Sequence, residues 1–169
     1  IASCPNTTIA GGCCNTASGD YSSIPGGFKN TAAGDYSVVG GRCNQTTTAG
    51  DYAGVVAGGS NCVTGLSAFI GGGNVNCATG NCGSAVVAGT NNCASGLCSL
   101  VGGGQANIAS GCGSAVVGGC CNEAQGKCGF VGAGRNNTSY CDSDVIAGGC
   151  GNYTCGACSV VGGGQGNIA

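Results

Sequence analysis

The chain has 169 residues but only four Lys or Arg, six Asp or Glu, no His, no Met and no Trp, for a formal charge of −2. So few cations exclude a nucleic-acid surface, which needs many phosphate contacts. The absence of any apolar run near ~20 residues excludes a spanning helix, and three Phe and five Tyr are too few for a conventional core of large side chains.

What the chain has instead is 39 Gly and 17 Cys, arranged periodically. Asparagines recur at Asn15, Asn30, Asn44, Asn61, Asn76, Asn92, Asn107, Asn122, Asn137, Asn152 and Asn167, at intervals of 15, 14, 17, 15, 16 and then 15 throughout. A fixed period overrides element-by-element reading. Gly stands three residues before every anchor, from Gly12 and Gly27 to Gly149 and Gly164. A Val or Ile stands six before: Ile9, Ile24, Val38, Val55, Ile70, Val86, Val101, Val116, Val131, Ile146 and Val161.

Fifteen residues are too short for a helical hairpin and long enough for two short strands with tight turns. β-Branched residues suit the strands, and Gly and Asn suit turn positions of positive φ. The expected fold is therefore all-β, without helices. It is a narrow parallel β-solenoid of about eleven coils spanning 1–169 as one array. Coils would stack at roughly 4.8 Å, with Val/Ile on Val/Ile as the core and the asparagine amides bonding coil to coil. Repeat arrays need no bulky core, because neighbouring units do the burying.

Taken in order, Ile1-Ala2-Ser3 has the phase of Ile108-Ala109-Ser110, and the chain ends at Asn167-Ile168-Ala169 in that same phase. No leader opens the chain. Both features lead us to expect a window of a longer array, or a subunit joining head to tail. Coils from 16 to 56 carry Gly19-Asp20-Tyr21, Gly34-Asp35-Tyr36 and Gly50-Asp51-Tyr52. These stack as a carboxylate column beside a tyrosine column. Asp20, Asp35 and Asp51 are read either as a cation site of low ligand density or as a solvated edge. The 17-residue interval containing Gln45-Thr46-Thr47-Thr48 reads as a turn that bulges outward.

From Cys62 on, cysteine replaces the acids. Cys62, Cys77 and Cys93 each follow an anchor by one, and Cys82, Cys98, Cys128 and Cys158 follow by six. Equivalent positions on adjacent coils fall within the roughly 4.4–6.8 Å that a disulfide tolerates between Cα atoms. Cys82–Cys98 is the first expected staple. Cys62–Cys77 or Cys77–Cys93 is the second and leaves one thiol over. Each closes a loop worth on the order of 3 kcal/mol on the chain-entropy account. Zinc is disfavoured without His or paired ligand spacing, and no metal or cofactor is expected.

Cysteine density points to an oxidising compartment, and five Asn-x-Ser/Thr sequons accompany it. Asn44, Asn137 and Asn152 are anchors. Asn6 and Asn136 lie off the column and are the glycan candidates.

The residues flanking the core Val/Ile point the other way in a strand. There Phe69, Leu100, Phe130 and Val160 pair with Gly two residues on, while Val87 and Val117 pair with Ala two residues before. Balanced volume of this kind is expected of a packed surface. Phe69, Val87, Leu100, Val117, Phe130 and Val160 are therefore expected to face another copy of the chain.

Ala33-Gly34-Asp35-Tyr36-Ser37-Val38-Val39-Gly40 and Ala157-Cys158-Ser159-Val160-Val161-Gly162 resemble the YadA-type head repeats of trimeric autotransporter adhesins. Looser Gly-Gly-x-x-Asn arrays are also similar to surface-fibre proteins of large viruses and other microbes. The resemblance covers nearly the whole chain. It implies a left-handed parallel β-roll, three chains about an axis, a surface adhesin or stalk, and no catalytic residues. The expected role is a structural one: an extracellular fibre or stalk at a cell or virion surface, self-assembling as a homotrimer or head-to-tail polymer and stapled by disulfides. The alternative is an adhesin or glycan-binding head using the tyrosine column. Ice binding would need a regular outward Thr array, which is missing. An enzyme is not expected, since no Ser or Cys has a base within its repeat.

Overall fold

The computed structural model describes residues 1–169 as a parallel β-solenoid of about ten turns, with no helix. Each turn carries two two-residue strands. One set, from Thr8–Ile9 to Val160–Val161, forms an 11-stranded sheet; the other, from Thr16–Ala17 to Tyr153–Thr154, forms a 10-stranded sheet. All neighbours are parallel and lie one turn apart in sequence, so like residues stack on like, as in Val86↔Val101 and Val101↔Val116.

The core is two columns wide. Ile24, Val55, Ile70, Val86, Val101, Val116, Val131 and Ile146 are wholly buried along one wall. Facing them stand Ala17, Ala32, Val63, Ala78, Ala94, Ala109 and Ala124 along the other. Small side chains predominate in this second column, opposite the larger Val and Ile, and Val63 is its one large member. Thr46, Ser139 and Thr154 take the same column and are also buried. Thr46 offsets the cost of its hydroxyl by bonding Ser37 Oγ at 3.1 Å.

In the 14-residue turn the core residue is Val39, fully buried, and Val38 is 45 % exposed. This corrects the expectation for Val38. The missing residue falls between the core valine and its glycine, so Val39 is five before Asn44 and pairs with Val55. Pro25 sits at the matching point one turn earlier. Its ring lacks the N–H that Gly40, at that position in the next turn, gives to the Val55 carbonyl at 2.8 Å.

A third ladder runs along an edge two residues before each anchor: Cys13↔Phe28↔Arg42↔Gly59↔Asn74↔Thr90↔Gln105↔Cys120↔Arg135↔Cys150↔Gln165. The residue after each of these has positive φ, as at Cys14 (60°), Lys29 (54°), Val75 (58°) and Cys121 (57°). The sequence gives no hint of either feature. The pairing is made by backbone alone, so chemically unlike residues share the column.

The asparagine column is continuous. Each anchor's Oδ1 accepts the backbone N–H of the next anchor, at 2.8–3.1 Å from Asn15←Asn30 through Asn152←Asn167. The Nδ2 donates to carbonyls within its own turn and the next, as Asn107 does to Gly103 (2.8 Å) and Gly119 (2.9 Å). Every polar atom of a buried amide is thereby satisfied.

Candidate functional surfaces

No pocket opens on the chain, and no helix is long and apolar enough to cross a membrane. Four regions on its faces and edges stand out.

The first is the outer face of the 11-stranded sheet. Phe69 is 41 % exposed, Val87 50 %, Leu100 40 %, Val117 53 %, Phe130 36 % and Val160 66 %. Within the chain nothing covers them, because the opposite wall of the coil lies behind the Val/Ile core. With Val39 assigned to the core, Val38 and Val56 join this face. Large-then-small pairs now alternate turn by turn over seven turns: Val38/Gly40, Gly54/Val56, Phe69/Gly71, Ala85/Val87, Leu100/Gly102, Ala115/Val117 and Phe130/Gly132. The glycines serve as seats for the rings. A Cβ on Gly54 or Gly71 would lie 3.5 Å from the Phe69 ring, and one on Gly132 would lie 3.5 Å from that of Phe130. The result is a flat hydrocarbon strip without a charged residue.

The second is the acidic edge. Tyr21, Tyr36 and Tyr52 form a regular exposed stack, with ring centroids 5.0 Å apart and planes within 2°. Burial in the stack raises the Tyr36 hydroxyl pKa, and Tyr21, Tyr52, Asp35 and Asp20 add to the effect. Beside it the carboxylates of Asp35 and Asp51 accept the backbone N–H groups of Asp20 and Asp35, at 2.8 and 2.9 Å. Asn81 and Asp142 perform the same service for Leu66 and Lys127. Asp20, Asp35 and Asp51 are thus strung along the axis, and no three His, Cys, Asp or Glu side chains converge on a point.

The third is the thiol column. Cys62, Cys77 and Cys93 are in register on adjacent strands. Thiol donation from Cys77 brings the Cys62 pKa down to about 6, helped by Gln45 Nε2 at 3.2 Å. An equivalent contact with Cys77 brings Cys93 to about 7, and the central Cys77, whose single S–H serves either neighbour, is pushed up. Cys82 and Cys98 stand on adjacent turns in the same left-handed conformation, with φ of 59° and 53°. Cys98 N–H bonds Asn81 O, the residue before Cys82, and Gly83 is the extra residue of the 16-residue turn, its N–H bonding Leu66 O. The Cys98 thiol meets the Cys82 carbonyl at 3.0 Å. All seventeen cysteines are thiols in this structure.

The chain matches no protein-family model and none of the curated proteins.

The fourth is the remaining edge, which carries Lys29, Arg42 and Arg135, so three of the four cations lie opposite the aspartates. Asn136 lies here and Asn6 on the edge of the tyrosines; both are exposed with positive φ. The sequon asparagines Asn44, Asn137 and Asn152 are at most 1 % exposed and tied into the column.

Sequence reasoning missed Asp144. It is fully buried where other turns place Ser, Ala or Gly. Its carboxylate accepts the N–H groups of Cys141 and Ser159, both at 2.9 Å. Its proximity to the anchor spacing, eight before Asn152, was the available signal.

Proposed function

We propose that this chain is a structural segment of an extracellular fibre or stalk, self-associating through the flat apolar strip and displayed at a cell or virion surface. The observation that carries this reading is the strip itself. Eight large apolar side chains from Val38 to Val160 lie exposed on one sheet face. The nine strands from Val38–Val39 to Val160–Val161 at roughly 4.8 Å give a strip about 40 Å long. At a width of ~10–15 Å, a copy would bury some 400–600 Å², the size of a small interface beside the ~800 Å² per partner of a standard one. A trimer about an axis through the strips satisfies the face on every copy, and it leaves both charged edges and the tyrosine stack outward. Cross-linking of Cys77 to Cys62 or Cys93 in an oxidising setting adds a staple between turns.

Sedimentation of the purified chain should give three copies, and Leu100→Glu should give monomers with an unchanged β spectrum. A wild-type chain that stays monomeric at tens of micromolar would end the proposal.

A second reading, a glycan-holding surface, is favoured by the exposed tyrosine stack, whose ring edges and hydroxyls line up beside a row of carboxylates that can accept from sugar hydroxyls. On this reading Tyr36→Ala abolishes glycan-array binding while leaving the assembly intact. No glycan signal from the wild type would remove it.

A further inference from the structure

Two pairs of adjacent cysteines occupy the same place in different turns. Cys13-Cys14 and Cys120-Cys121 both fill the last two positions before an anchor. In a strand, successive side chains point to opposite sides. Here the first member lies on the edge ladder, and the second turns back through positive φ, 60° at Cys14 and 57° at Cys121. Both thiols of a pair therefore emerge on the same side. Their sulfurs stand 3.1 Å apart at Cys13–Cys14 and 3.2 Å at Cys120–Cys121.

Neither pair has another cysteine within reach along this edge. The turn beside Cys13 and Cys14 presents Phe28 and Lys29. Cys120 and Cys121 are flanked by Gln105 and Ala106 on one side and by Arg135 and Asn136 on the other. The next cysteines on the edge are Cys43 and Cys150, each two turns away. Two turns is roughly 9–10 Å at strand spacing, beyond the roughly 6.8 Å limit for a disulfide. The hydrogen bond within each pair raises the pKa of Cys13 and Cys120.

We propose that Cys13–Cys14 and Cys120–Cys121 are two redox modification sites, each closing on itself as a disulfide between sequence neighbours. The oxidant is a small-molecule disulfide of the glutathione class. One cysteine thiolate attacks a sulfur of that disulfide and expels one small thiol, leaving a mixed disulfide. The neighbouring thiolate attacks the cysteine sulfur and expels the second small thiol. One Sγ–Sγ bond forms, one S–S bond of the oxidant breaks, and the two protons and two electrons end on the two released thiols. Such a ring ties no turn to another and no chain to another. It takes four thiols, three of them exposed, out of indiscriminate cross-linking while leaving Cys62, Cys77 and Cys93 to staple the array. The inference does not depend on the fibre reading, since a monomer would close the same rings.

The test is to treat the folded, reduced chain with excess oxidised glutathione, quench in acid, alkylate and map the peptides by mass. The peptides holding each pair should be two hydrogens lighter than the dithiol, free of alkyl groups and glutathione, and linked to no other peptide. In Cys14→Ser the second step is lost, so Cys13 should keep one glutathione, which shows that its neighbour normally displaces it. Two alkyl groups on a wild-type pair, a persistent glutathione adduct, or a bond to a different peptide would overturn the proposal.

Discussion

Gly104→Ala should lower the stability of the reduced chain by about 2–5 kcal/mol, while Gly103→Ala, one residue away, should change it by less than ~0.5 kcal/mol. Gly104 has φ of +89°, where an L residue costs roughly 1–2 kcal/mol. Its added Cβ would collide with the carbonyl oxygen of Gly119 in the next turn and come within 2.7 Å of Asn107 Nδ2. Neither atom can retreat, because one belongs to the stacked backbone and the other to the asparagine column. A Cβ on Gly103 meets only the Ala88 carbonyl oxygen, at 3.7 Å. Because each turn touches only its neighbours, the damage should divide the array at that point, and a shallower urea slope should accompany the lower midpoint. Equal midpoints for the two variants would mean that the turns are not in close register.

The second large effect is at the column itself. Asn107→Ala removes the acceptor of Asn122 N–H (3.0 Å) and the donors to the Gly103 and Gly119 carbonyls. The buried Asn122 N–H and the part-buried Gly103 carbonyl are left without a partner, at about 1–3 kcal/mol each before relaxation, while the Gly119 carbonyl keeps the Gln105 N–H. A loss of roughly 2–6 kcal/mol is expected in urea denaturation. Asn107→Asp separates shape from chemistry. It keeps the acceptor but turns a carboxylate oxygen toward two carbonyl oxygens. The ionised form is penalised on folding, so the folded pKa must rise above the ordinary ~3.9. A raised pKa contributes stability below the unfolded value and loses it as pH climbs through the folded value. Asn107→Asp should therefore be far closer to wild type at pH 3 than at pH 7. A deficit independent of pH would show that the amide protons do not carry the interaction.

The columns that these variants strike are those the sequence displays most plainly, because each is chemically uniform. Every anchor carries an amide, every glycine three before an anchor has positive φ, and every position of the larger core wall carries Val or Ile. Columns held by backbone alone stay hidden: Cys13, Phe28, Arg42, Gly59 and Asn74 share a ladder with nothing in common as side chains. Counting from the anchor fails where a turn loses a residue between core and glycine, and so it misassigned Val38. It holds through the 16-residue turn up to Cys82, because the extra residue there is Gly83, one step further on. The same deletion concealed the extent of the apolar strip, whose alternation is regular only after Val39 is moved inward. Asp144 was overlooked because a buried carboxylate bonded by two peptide N–H groups looks, in sequence, like any surface acid.

The asparagine column also has a direction. Every amide oxygen faces the turn that follows it and every anchor N–H faces the turn that precedes it. The column is therefore vectorial along its length, with a free anchor N–H at one end and a free amide oxygen at the other. Whatever continues the column, further turns or another copy, can match it in only one sense. A junction joining like poles would set oxygen against oxygen, so any filament made from this coil has to be polar, with chemically distinct tips that need not grow at the same rate.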